Sequence, residues 1–287
     1  MSDDTTTVRG HDRAAPVVAT APGDRLRVAG RWAWVPVLVV GLLLFEVVRQ
    51  AVGDTRNPNL VPALLLLGAA VVPVAFVSFI AGRRLPYGVS GGLIALTALV
   101  GGVLGVVAAG LLEYDTLRDL GVLPMVLVAV IEEAVKLIAP AVLVVALRHR
   151  LVAADGLLVG VAAGAGFAVL ETMGYGFVAL LQSRGDLSAV DDVLFERGVL
   201  SPAAHMAWTG LTAVALWRAA THGWHTRAVG GFLAGFAVAV ALHTAWDSIG
   251  RTAAYVVLAV LSLGLLTWAA HRLETSPRAL RAGGAVR

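Results

Sequence analysis

Eight apolar runs of membrane length, joined by short polar connections, dominate this 287-residue chain. They fall at roughly 33–52, 60–81, 91–113, 121–147, 156–182, 200–220, 228–249 and 253–271. A bilayer core takes about 20 apolar residues per helix. In hydrocarbon every backbone N–H and C=O must be satisfied within the structure, which leaves only helices or a closed barrel. The alternating pattern of barrel strands is absent. The sequence therefore predicts an all-α, polytopic integral membrane protein with about eight transmembrane helices. Composition agrees: 58% of residues are hydrophobic and 14% charged, with a mean hydropathy of +0.83, far from soluble-domain usage.

The basic residues set orientation. With the N-terminus inside, fifteen arginines fall in cytoplasmic segments and six (Arg49, Arg56, Arg118, Arg184, Arg197 and Arg251) outside, which by the positive-inside rule places both termini in the cytoplasm. Residues 1–31 read as a disordered cytoplasmic tail, 32–272 as a single transmembrane domain with its site in the spans at about 121–250, and 273–287 as a C-terminal cytoplasmic tail. The first apolar run is too long for a signal-peptide core and no cleavage pattern follows it, so it reads as an anchor. The pI of 9.8 does not point to nucleic acid, because the arginines sit in loops and tails rather than in a patch interleaved with aromatics. There is no cysteine, which excludes disulfides, thiolate metal sites and a cysteine nucleophile. The preference for arginine over lysine, with abundant Ala, Val and Gly, suggests a GC-rich bacterial genome and hence a plasma-membrane location.

Against this background the stretch "MVLVAVIEEAVKLIAPAVLVVA", Met125 to Ala146, carries Glu132, Glu133 and Lys136, the only lysine of the chain, near its middle. Ionisable groups at that depth cost several kcal/mol and mark function by default. Further ones follow: Glu171 in "GFAVLETMGYG", His205 in "SPAAHMAWTG", and His243 with Asp247 in "ALHTAWDSIG". The first three spans offer only Glu46 and, at a membrane edge, Glu113. Spans four to seven are thus expected to form a polar cavity supported by spans one to three. Glu132 and Lys136 are four apart and share a helix face. Glu133 lies about 100° around the helix, and the spacing does not say which glutamate pairs structurally and which is free for chemistry. His243 and Asp247 form another i, i+4 pair, in which a carboxylate orients an imidazole. At about 1.5 Å per residue, Glu132 and Glu171 sit roughly 16 Å below the outer helix ends, His243 about 9 Å and His205 about 5 Å. All can line one cavity open to the outer face. A glutamate as water-activating base, with histidines to polarise a carbonyl or donate protons, makes a hydrolytic site.

"EEAVK", "FAVLE", a lone "H" in an Ala-rich helix and "HTAWD" on successive spans resemble the pattern E-E-x-x-K, F-x-x-x-E, H and H-x-x-x-D/N of the PrsW family of intramembrane proteases, distant relatives of the CAAX prenyl proteases. The resemblance covers roughly 121–250. One departure is Thr172, where that family often has Asn. What it implies is an endopeptidase that clips membrane-tethered regulators of the anti-sigma-factor type near the outer face. On that likeness, Glu132 or Glu133 activates water with Glu171 and His205, and His243 and Asp247 steady the oxyanion.

Two other classes fit the same residues. A proton-coupled transporter would use Glu, Lys, His and Asp as a relay, and an inactive scaffold would use the fold to hold a partner. Two histidines with a carboxylate also suit a divalent metal such as zinc, with His205, His243 and Glu171 as candidate ligands, although H-E-x-x-H is absent. No organic cofactor is indicated. The expected partners are the lipid bilayer and a membrane-anchored protein substrate.

Overall fold

A computed structural model describes residues 30–83, 85–121, 123–147 and 152–274. The tails expected at 1–31 and 273–287 lie outside it, apart from the residues adjoining the first and last helices. Among the described residues the chain is helical, with no strand. In order, the helices are α1 (Trp34–Thr55), α2 (Val61–Ala81), α3 (Gly91–Leu120), α4 (Met125–Lys136), α5 (Ile138–Ala146), α6 (Ala153–Gln182), α7 (Leu187–Leu200), α8 (His205–Thr221), α9 (Thr226–Ser248) and α10 (Thr252–Glu274). Short 3-10 turns at Pro58–Leu60 and Ser201–Ala203 precede α2 and α8.

Seven stretches are long and apolar enough to cross a membrane. The eighth expected crossing, 121–147, is divided: α4 stops at Lys136 and α5 starts at Ile138. Pro140 is the cause, since it has no N–H for the carbonyl of Lys136 and its ring crowds that turn. The Leu137 N–H closes back on Ala134 (3.1 Å) instead. The discontinuity falls beside Glu132, Glu133 and Lys136.

A second difference lies at 183–198, expected only as a polar connection between the runs at 156–182 and 200–220. Leu187–Leu200 is instead a helix, capped by the Asp186 carboxylate accepting from the Ser188 N–H at 2.9 Å. Val190, Leu194 and Gly198 form its buried face, and a Cβ at Gly68 of α2 would meet the Leu194 side chain at 2.7 Å. The i, i+4 apolar spacing was present but hidden among four acidic residues. Ser201 does not cap α8 as its Ser-Pro context suggests; its hydroxyl donates to the Arg197 carbonyl at the end of α7. Asp155 likewise caps another segment, its carboxylate accepting the N–H groups of Gly88 (2.7 Å) and Val89 (3.2 Å).

α6 is the central helix, packed against α8, α3, α2 and α7, and nearly every residue from Ala154 to Ala168 is buried. Glycines allow the approach. A Cβ at Gly160 would sit 2.5 Å from the Thr209 carbonyl oxygen, and one at Gly164 2.5 Å from that of His205. On the opposite side a Cβ at Gly166 would run into the Ala98 carbonyl of α3. Peripheral helices present Leu43, Val47, Leu111, Val257 and Val260 to the exterior, the apolar surface that lipid requires. Among the glycine pairs four residues apart, Gly160/Gly164 and Gly101/Gly105 are close-packed, whereas Gly231 of the Gly231/Gly235 pair has no neighbour within 4 Å of a Cβ.

Gly160→Val is therefore expected to cost about 1–3 kcal/mol through overpacking, read as a lowered melting temperature in detergent, while Gly231→Ala leaves it unchanged. Equal melting temperatures for the two variants would contradict the α6–α8 contact.

A buried polar cluster on four helices

The seven polar residues singled out by the sequence converge on one cluster. Lys136 is completely buried, and its Nζ donates to Glu132 Oε2 (3.0 Å) and Glu133 Oε1 (2.9 Å). It also lies 2.7 Å from His205 Nδ1 and 4.3 Å from the centre of the Phe167 ring. One ammonium thus meets both carboxylates of its own helix, an imidazole from α8 and an aromatic face from α6.

The two histidines are each held by a carboxylate. His243 Nδ1 is 3.0 Å from Glu133 Oε1; a carboxylate only accepts, so Nδ1 carries the hydrogen. His243 Nε2 then faces Asp247 Oδ2 at 3.2 Å and Glu132 Oε2 at 3.6 Å. His205 Nε2 is 3.0 Å from Glu171 Oε2, leaving Nδ1 towards Lys136. Trp208 stacks on His243 with centroids 4.9 Å apart and meets His205 edge-on at 5.7 Å. The Trp208 indole N–H donates to Ser262 (2.9 Å), so this tryptophan is a wall of the site. Glu133 is wholly enclosed, whereas Asp247 and Glu171 retain 29% and 17% side-chain exposure at the mouth.

Glu132, His205 and His243 have one ligand atom each within 4.8 Å of one another. Zinc holds His and carboxylate ligands at about 2.0–2.1 Å, which puts two ligands of a tetrahedral ion roughly 3.4 Å apart. The 3.6 Å between His243 Nε2 and Glu132 Oε2 matches that spacing and is too long for a hydrogen bond. The donor set, His₂Glu, suits a catalytic metal. Glu171, a candidate ligand from sequence, lies on the far nitrogen of His205, where carboxylates orient metal-bound histidines. The Lys136 ammonium contacts Glu132 Oε2 and His205 Nδ1, so a metal ion held there would have to share or displace those two contacts.

Sequence reasoning missed three contributors. Arg197 of α7 reaches Glu171 Oε2 at 2.7 Å and lies 3.9 Å over the Tyr175 ring; nothing in local spacing links residue 197 to 171. Glu113 of α3 is half-buried and close enough to feel the charges of Glu132, Glu171 and Lys136. Phe167, read only as part of a motif, supplies the face above Lys136. Conversely, Glu46, given no role, pairs with Arg49 at 2.7 Å, and Arg49 also approaches Asp191 (3.7 Å), tying α1 to α7.

No curated protein and no solved structure matches the chain. Residues 87–270 match the family described as PrsW family intramembrane metalloprotease. That stretch is well over half of the chain and contains all seven residues of the cluster. The chain is a multi-pass membrane protein and a peptidase by family, and it belongs to the PrsW family of intramembrane metalloproteases.

Proposed function

We propose that the cluster is the peptidase centre, that Glu132, His205 and His243 are its chemical groups, and that Glu133 and Glu171 orient the two histidines. The observation that carries this reading is the double pairing of carboxylate and imidazole, Glu133 to His243 Nδ1 at 3.0 Å and Glu171 to His205 Nε2 at 3.0 Å. It turns one nitrogen of each ring, with Glu132, towards a common point. These three residues would hold a divalent metal such as zinc, which when bound supplies Lewis acidity towards the peptide carbonyl. Between the paired glutamates, Glu133 is enclosed and both its partners sit on Oε1, so Glu132 is the one that meets the reaction. In hydrolysis, water oxygen adds to the carbonyl carbon, the C–N bond breaks, and a proton passes to the departing amine. Asp247, the carboxylate at the mouth beside His243, is placed to carry that proton.

The substrate is a membrane-tethered regulator of the anti-sigma-factor type, cut near the outer face of the plasma membrane with both termini of the protease in the cytoplasm. The arginine distribution and the family resemblance support this. An apolar groove of about 630 Å³ between α4 and α9 gives such a segment a side entrance. Val130 and Val240, in its walls, lie one turn from Glu133 and His243, whose bond spans the same two helices. Ala237, Ala241 and Ala245 line it at helical spacing, as small residues do where membrane helices approach closely.

Proteins released from cells are the test, with wild-type and variant chains at equal expression and new N-termini identified. Glu132→Gln, which alters a group that would hold the metal itself, is expected to lower cleavage by more than about 100-fold, the upper end for losing an orienting partner. Glu133→Gln, which keeps an oxygen for His243, is expected to lower it by only about 10–100-fold. The reverse ranking would exchange the roles of the two glutamates, and fragment sets identical to wild type in both would remove the peptidase reading. Ala241→Trp, which fills the groove without touching the cluster, should abolish cleavage of the membrane-spanning substrate; wild-type cleavage in that variant would exclude the side entrance.

A further inference from the structure

α7 connects the periphery of the molecule to the cluster. It packs on α2 and α6, is tied to α1 through Asp191 and Arg49, and ends with Arg197 inside the mouth of the site. The Arg197 guanidinium is 2.7 Å from Glu171 Oε2, the same oxygen that lies 3.0 Å from His205 Nε2. It also lies 3.9 Å over the Tyr175 ring, one helical turn after Glu171. The aromatic face on one side and the carboxylate ahead of it fix the position of the positive charge.

We infer that Arg197 is a further positioning residue of the site: by clamping the Glu171 carboxylate against His205, it sets the ring orientation and the free nitrogen of that histidine. A carboxylate on α6 with no second partner can rotate away from a histidine on α8, because only one contact resists it. With Arg197 present, two partners lie within ion-pair distance of Oε2 and both resist that rotation. His205 then presents Nδ1 inward. The clamp enters from an element outside the E-E-x-x-K, F-x-x-x-E, H and H-x-x-x-D motifs, so α7 is a structural part of the site rather than a connection between spans.

The consequence for turnover rests on the peptidase reading; the consequence for His205 does not. Full-length protein carrying Arg197→Met or Arg197→Lys would be compared with wild type by diethyl pyrocarbonate labelling, with His205 and His243 resolved by peptide mass spectrometry. Arg197→Met is expected to speed labelling of His205 several-fold and leave His243 unchanged, while Arg197→Lys, which keeps the ion pair, stays near the wild-type rate. General loosening of the fold would speed both histidines. Unchanged His205 labelling in Arg197→Met, or equal acceleration at both rings, would overturn the inference. On a substrate cleaved by wild type, Arg197→Met should lose about 10–100-fold in kcat, the range for removing an orienting partner, with KM little altered and most of the loss recovered in Arg197→Lys. A loss confined to KM, or Met and Lys variants impaired alike, would equally contradict the clamp.

Discussion

One buried ammonium holds this site together. Lys136 has no exposed surface, and an unpaired charge so placed costs several kcal/mol or more. Two carboxylates, an imidazole nitrogen and an aromatic face surround it, and each of these is attached to something else. Glu133 also takes His243, and His205 also meets Glu171. The positions of four helices are thereby linked through one nitrogen atom. Taking any member away strands another charge in a medium that does not solvate it.

The rest of the fold serves this convergence. Glutamate and lysine at i, i+3 and i, i+4 come together on any helix, but a histidine 69 residues away and another 110 away require tight helix packing. Gly160 and Gly164 let α6 and α8 approach backbone to backbone, which brings Glu171 within reach of His205. The Pro140 interruption ends α4 at Lys136, so the cluster sits at a helix end rather than along a continuous rod. Discontinuous helices of this kind are tolerated in membranes where they are enclosed by protein. Trp208 and Phe167 close the surrounding wall, each of them almost fully buried.

Much of this was legible beforehand because membranes make sequence unusually explicit. A charged residue in a long apolar run needs a reason, so Glu132, Glu133, Lys136, Glu171, His205, His243 and Asp247 identified themselves. The helical crossings followed from length alone. What stayed hidden was cross-helix: no spacing rule pairs Glu133 with His243 or Glu171 with Arg197, and so the division of labour between Glu132 and Glu133 was open. The helical character of α7 is hard to see in the sequence because its acidic residues mask a three-position apolar stripe, Leu187, Val190 and Leu194. Pro140 was visible, but a run of apolar residues on both sides made the span look continuous. Asp155 and Ser201 are both capping residue types, yet Asp155, inside the first turn of α6, bonds to Gly88 and Val89, and Ser201 bonds back to the end of α7.

The account turns on whether Glu132, His205 and His243 share a cation. X-ray absorption at the zinc edge of the purified full-length protein, loaded with one equivalent of zinc, asks this directly. The account predicts a retained ion with a shell of nitrogen and oxygen at about 2.0–2.1 Å, an outer-shell signature of two imidazoles, and loss of that signature in His243→Ala. A chain that retains no zinc, or an ion with an oxygen-only shell that is indifferent to His243→Ala, would contradict it.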